Sequence, residues 1–77
     1  MNAQTLRELI HHRPFKPFRI ILSGGESYAV RHPEMALLTR SDVLVGIDVK
    51  NGLPAEFRIC SLLHVATVEP MDHEPAA

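Results

Sequence analysis

Phe18-Arg19-Ile20-Ile21-Leu22-Ser23-Gly24-Gly25-Glu26-Ser27-Tyr28-Ala29-Val30 consists of two alternating apolar runs joined by a glycine pair, the pattern of a β-hairpin. With Gly24-Gly25-Glu26 as a three-residue loop, Leu22 falls opposite Tyr28 and Ile20 opposite Val30. Phe18, Ile20, Leu22, Tyr28 and Val30 then share one side of the hairpin, which becomes the expected core. A two-residue Gly24-Gly25 turn sets Leu22 against Ser27 and Ile20 against Ala29, splitting the large apolar groups between faces. The longer loop is therefore the expected one.

Downstream, Arg31-His32-Pro33 ends the hairpin and Met35-Ala36-Leu37-Leu38-Thr39 reads as a third strand. Arg40-Ser41-Asp42 is a turn, and Val43 to Val49 is a fourth strand with Val43, Val45, Ile47 and Val49 inward and Gly46 at a bend. Lys50-Asn51-Gly52, read as a three-residue loop, sets Ile47 opposite Ala55, Val45 opposite Phe57 and Val43 opposite Ile59. All those large groups then point inward. A fifth strand covers Ala55 to Cys60, Ser61-Leu62-Leu63-His64 suits a single 3₁₀ turn begun by serine, and Val65-Ala66-Thr67-Val68 is a last strand.

Upstream, Thr5-Leu6-Arg7-Glu8 fits a capping box, with Asn2 as a competing cap, and opens a short helix over about 5–13. Leu6, Leu9 and Ile10 form its apolar stripe, His11-His12-Arg13 suits its C-terminus, and Pro14 stops it. Pro14 and Pro17 fix an extended connection, from which Phe15 is expected to cover one end of the core. Residues 1–70 thus form one domain, and 71–77 are polar, proline-bearing and expected to be disordered.

The chain has 77 residues, 45% hydrophobic and 22% charged, an ordinary globular composition in a size range where self-association often supplements a small core. No apolar run approaches the ~20 residues of a membrane helix. No export signal is evident, and the single Cys60 rules out an internal disulfide framework, so a cytoplasmic location is expected. Residues 1–40 carry six Lys or Arg against three acids, and residues 41–77 carry two against six. That asymmetry suits either a basic face for nucleic acid or contact between the basic part of one subunit and the acidic part of another.

One short helix, five or six short strands, glycine-marked hairpins and a one-turn break before the final strand describe a mainly β protein: a small, strongly bent antiparallel β-barrel. Phe18 to Val45 resembles the first block of Sm-like proteins, within the wider SH3-like class, and Val65-Ala66-Thr67-Val68 after Leu63-His64 is similar to their closing segment. Where Sm-like proteins place Asp and Asn in a uridine-binding loop, this chain has His32-Pro33-Glu34-Met35. Pro14 to Arg19, Gly24-Gly25 and Arg31 to Glu34 also resemble a group of short uncharacterised bacterial proteins. The Sm-like resemblance implies a ring-forming homo-oligomer with RNA affinity.

Candidate chemistry is sparse. Adjacent His11 and His12 point about 100° apart on a helix and do not share an ion, and His32, His64 and His73 stand apart, so no metal site is expected. Cys60 and His64 lack a third group to orient a base, and no catalytic residue or cofactor is expected. Gly24-Gly25 reads as a turn rather than a phosphate cradle. The strongest cluster for nucleic acid is Arg13, Phe15, Lys16, Arg19, Arg31 and His32, where cations meet phosphates and an aromatic meets a base. Its alternative is a solvated basic face or subunit contact.

Association needs only an open strand edge, expected at Val65 to Val68 or on the fourth strand, with Asp42 and Asp48 meeting Arg19 or Arg31 of a neighbour. The sequence therefore predicts a non-enzymatic binding or assembly module. It is either an Sm-like homo-oligomer with weak RNA affinity or an oligomeric or adaptor protein with no nucleic-acid partner.

Overall fold

Asn2 caps the helix α1 (Ala3–His11), its side-chain oxygen accepting the Gln4 backbone N–H at 2.7 Å. Asparagine is the better N-cap, and Thr5 and Glu8 lie inside the helix instead of forming the expected box. Leu6 and Ile10, four residues apart, are buried, and Leu9 packs beside them. The computed structural model describes residues 2–71. Among these residues no helix is long and apolar enough to cross a membrane.

Six strands follow: β1 (Phe18–Leu22), β2 (Ser27–Val30), β3 (Ala36–Leu38), β4 (Asp42–Ile47), β5 (Glu56–Ser61) and β6 (Val65–Pro70). Single 3₁₀ turns at Pro33–Met35 and Leu62–His64 precede β3 and β6. The second is opened, as expected, by Ser61, whose Oγ accepts the Leu63 N–H at 3.3 Å. The strands form two three-stranded antiparallel sheets, ordered β2-β1-β6 and β3-β4-β5, that do not close into a barrel. This corrects the barrel expectation. The mainly β class and the N-terminal helix stand.

The core lies between the sheets and α1. Phe18, Ile20 and Val30 from the first sheet meet Ala36, Val43, Val45 and Cys60 from the second, with Leu6 and Ile10 of α1 and Leu62 and Val65 around them. Leu22, Tyr28 and Phe15 pack against this cluster, so the core side expected for the first hairpin and the covering role of Phe15 both hold. Met71, expected in a disordered tail, is buried and its N–H donates to Pro17 O at 3.0 Å. The rest of that tail lies outside the described residues.

Both hairpin registers differ from expectation, with unlike consequences. In the first, Phe18 pairs with Val30 and Ile20 with Tyr28, and the loop is Ser23-Gly24-Gly25, closed by Leu22 N–H to Glu26 O at 2.8 Å. The third position of such a loop takes a left-handed backbone; Gly25 adopts it at φ +99°, whereas the expected loop would force Glu26 into it. A two-residue slip preserves the faces. In the second hairpin, Lys50 and Leu53 exchange backbone hydrogen bonds of 2.9 and 3.0 Å around a two-residue turn, with Asn51 at φ +54° and Gly52 at φ +76°. That is the mirror-image turn favoured by Asn-Gly, whose twist matches the flanking strands.

The resulting slip is a single residue, which reverses the faces of β5. Val43 pairs with Cys60, Val45 with Arg58, Leu44 with Ile59 and Gly46 with Phe57. Cys60 is buried, while Phe57 and Ile59, expected inside, are 46% and 70% exposed. Val49, beyond the left-handed Asp48 (φ +53°), is also exposed rather than inward.

Gly46 sits where other chain closes over the sheet: a Cβ there would lie 2.9 Å from Met35 Sδ and 3.1 Å from Pro54 Cβ. Because Met35 is buried and Pro54 is rigid, Gly46→Ala is expected to cost ~1–3 kcal/mol. Gly52→Ala, strained by its positive φ alone, is expected to cost about 1 kcal/mol. Urea midpoints measure both, with the slopes unchanged. An unaltered midpoint for Gly46→Ala contradicts the close approach.

Candidate protein-association surface

The reversed faces of β5 assemble a surface that no single strand displays. Residues directly across the second sheet form two rows on its outer side. Leu37 of β3, Leu44 of β4 and Ile59 of β5 make one, and Gly46 and Phe57 lie in the next, with Met35 packed over Gly46. Leu37 is 60% exposed, so two of the three residues of the first row lie largely in solvent. Leu53 at the hairpin tip and Leu63 in the 3₁₀ turn are also exposed. Scattered exposed leucines need no explanation, but Leu37, Leu44 and Ile59 are direct neighbours across three strands.

The expected nucleic-acid residues are spread over separate elements. Arg13 is occupied at the end of α1, its guanidinium donating to Ile10 O at 3.1 Å and His12 O at 2.9 Å, which satisfies carbonyls left open by the helix. Phe15 is half-buried, with its ring 6.0 Å from that of Phe18 and tilted by 57°, so it belongs to the core margin and is no free platform for a base. Lys16 is exposed on the connection to β1. Arg19 lies half-buried on β1 across from Ala29 and Glu69, while Arg31 and His32 are exposed beyond the end of β2.

The expected edge residues are also separated. Val65 is buried in the core and Val68 packs against it, so neither side chain is offered to a partner, although β6 is an edge strand. The fourth strand is no edge: β4 is the centre of its sheet. Asp42 is engaged in its own turn, its carboxylate accepting from Ser41 Oγ at 3.0 Å and its N–H donating to Thr39 Oγ1 at 2.9 Å. Asp48 is exposed at its left-handed bend.

Histidine and cysteine chemistry finds little to work with. His11 and His12 direct Nδ1 at the carbonyls of Arg7 and Pro14, both at 2.9 Å, which makes each Nδ1 a donor. Among the described residues no three His, Cys, Asp or Glu side chains form a metal-sized group. Cys60 and His64 line one shallow cleft with Glu26 and Ser61, but Cys60 is buried and His64 exposed.

Burial pushes the Cys60 thiol up from its ordinary value, the Glu26 carboxylate adds to the rise, and Arg58 partly opposes it. The thiol is therefore a small core group and a poor nucleophile. With its folded value raised, the unfolded chain releases the proton first as pH rises, so this thiol's contribution to stability falls across the alkaline range. Iodoacetamide at pH 8 is expected to alkylate native Cys60 at least about tenfold more slowly than the urea-unfolded chain; equal rates contradict its burial.

Comparison with protein-family models, with curated proteins and with solved structures finds no match to this chain. Together with the two unclosed sheets, this overturns the Sm-like and SH3-like resemblance, and the ring and RNA properties it implied lose that support.

Proposed function

We propose that this chain is a non-enzymatic assembly module that associates with copies of itself through the outer surface of the β3-β4-β5 sheet. The observation that carries the reading is the pair of outward cross-strand rows containing Leu37, Leu44, Ile59 and Phe57. Burying a large apolar side chain contributes roughly 1.5–3 kcal/mol, so a few such residues supply much of what an association between small domains requires. A 77-residue chain gains correspondingly from a partner that adds to its core. The buried thiol of Cys60 is in keeping with a reducing, cytoplasmic setting.

Weak RNA affinity has less behind it. Of the cluster that motivated it, Arg13 is bonded to the end of the helix and Phe15 is packed on Phe18. Lys16, Arg19, Arg31 and His32 lie on the connection, on β1 and beyond β2, without an aromatic platform among them.

Light-scattering mass with absorbance at 260 and 280 nm tests the reading. One Tyr and no Trp leave the protein nearly transparent, so bound nucleic acid would dominate the trace. The expected result is a multiple of 8.6 kDa with no excess at 260 nm. Phe57→Thr with Ile59→Thr, which removes apolar area and keeps strand propensity, is expected to bring the mass down to 8.6 kDa. A wild-type monomer at tens of micromolar overturns the reading.

A further inference from the structure

The four strand edges of the two sheets are not alike. β3 has three residues and α1 packed on it, β2 has four residues and lies against β4, and β6 ends at Pro70 and is bulged against β1 at Ile21/Leu22. β5 has six residues, Glu56–Ser61, with no proline and no bulge between Val43 and Ile47 of its partner strand, and it carries two charges, Glu56 and Arg58, on the side of Cys60. Proteins usually blunt such an edge with proline, a bulge, a cover or charges, and here only the Glu56–Arg58 pair, which neutralises itself, is present.

The direction of its free backbone groups follows from alternation. Thr39 N–H donates to Asp42 O at 2.8 Å on the β3 side of β4, and Leu62 N–H donates to Ser41 O at 2.9 Å on the β5 side. Val43, Val45 and Ile47 therefore bond toward β5, where they meet Cys60, Arg58 and Glu56. The N–H and C=O groups of Phe57 and Ile59 are left pointing outward along the open edge. These residues also carry exposed apolar side chains.

We propose that two copies of this chain pair antiparallel through β5 about a two-fold axis at Phe57, so that Glu56 of each copy faces Arg58 of the other. The proposal rests on the self-association reading and adds to it an edge contact, distinct from burial of the outer rows. A two-fold that keeps the apolar residues of both copies on one side passes through a residue, and charge selects which. An axis through Arg58 sets two arginines directly opposite each other. An axis through Ile59 sets Arg58 against Cys60 and Phe57 against Ser61. An axis through Phe57 sets two Glu56–Arg58 pairs across the junction, Ile59 beside Ala55, and Phe57 against itself with reciprocal backbone hydrogen bonds.

Within one chain Arg58 already bonds Glu56 at 2.7 Å, and both side chains are about half exposed, at 49% and 53%, so each can turn to a second copy without desolvation of an unpaired charge. The pairing joins two three-stranded sheets into one, with a continuous apolar face on its outer side.

Complementation in trans tests the register. Glu56→Lys brings two positive charges together at both cross-junction pairs, and Arg58→Glu brings two negative charges together there. Each single variant is expected to self-associate about tenfold more weakly than wild type in a light-scattering dilution series at low salt. An equimolar mixture of the two variants places opposite charges at both pairs and is expected to regain wild-type association. An ion pair inside one chain cannot be mended by another chain, so recovery is specific to the junction. A mixture no tighter than its components, with wild type still associating, overturns the β5 contact and leaves the association reading standing. A monomeric wild type overturns both.

Discussion

A two-residue turn at Asn51-Gly52 is the constraint on which the rest of the second sheet depends. Both residues hold positive φ, and the Lys50–Leu53 pair they close fixes every pairing from Ile47–Glu56 to Asp42–Ser61 in one register. Because side chains alternate with period two, one more residue in that loop would exchange the faces of β5. Cys60 would leave the core, and Phe57 and Ile59 would enter it. Few local features of so small a chain have such consequences at a distance. The turn decides which side chains of β5 fill the protein and which stay exposed.

The interior works without those two residues because other elements close it. Leu6 and Ile10 of α1 bring two large groups to one margin, Leu62 and Val65 bring two more from the 3₁₀ turn and β6, and Met71 is tied back to Pro17. On the outer side of the second sheet, Met35 and Pro54 close over Gly46 but cover only one row. Leu37 and Ile59 stay in solvent. What remains is an apolar surface beside a strand edge whose only charges are the paired Glu56 and Arg58.

The fold was legible in the sequence wherever period and punctuation agreed. Alternation from Phe18 to Val30 places Phe18, Ile20 and Val30 in the core even though the loop is Ser23-Gly24-Gly25, since that register differs by two residues from the expected Gly24-Gly25-Glu26 one. Ser61 before two leucines marked the 3₁₀ turn through its side-chain oxygen. Asn51-Gly52 carried the decisive signal too, but a reading that sought to bury every large residue of β5 chose the longer loop. The weight given to apolar inwardness outran the stereochemistry of the turn. Closure of the sheets depends on strand curvature and long-range contact, which alternation does not encode. The outer apolar row is not legible in the sequence because Leu37, Leu44 and Ile59 become neighbours only once three strands are paired.

The basic cluster shows the complementary failure. Sequence proximity brought Arg13, Phe15, Lys16 and Arg19 together, while the folded chain sends one to a helix end, one to the core margin and the others to separate stretches. The exposure of Phe57 and Ile59 depends on the register of β5, and backbone nuclear Overhauser contacts measure that register in solution. The account predicts cross-strand contacts of Val43 with Cys60, Val45 with Arg58 and Gly46 with Phe57. Contacts of Val43 with Ile59 and Val45 with Phe57 would contradict it, return both apolar residues to the interior, and remove the surface on which the proposed assembly is built.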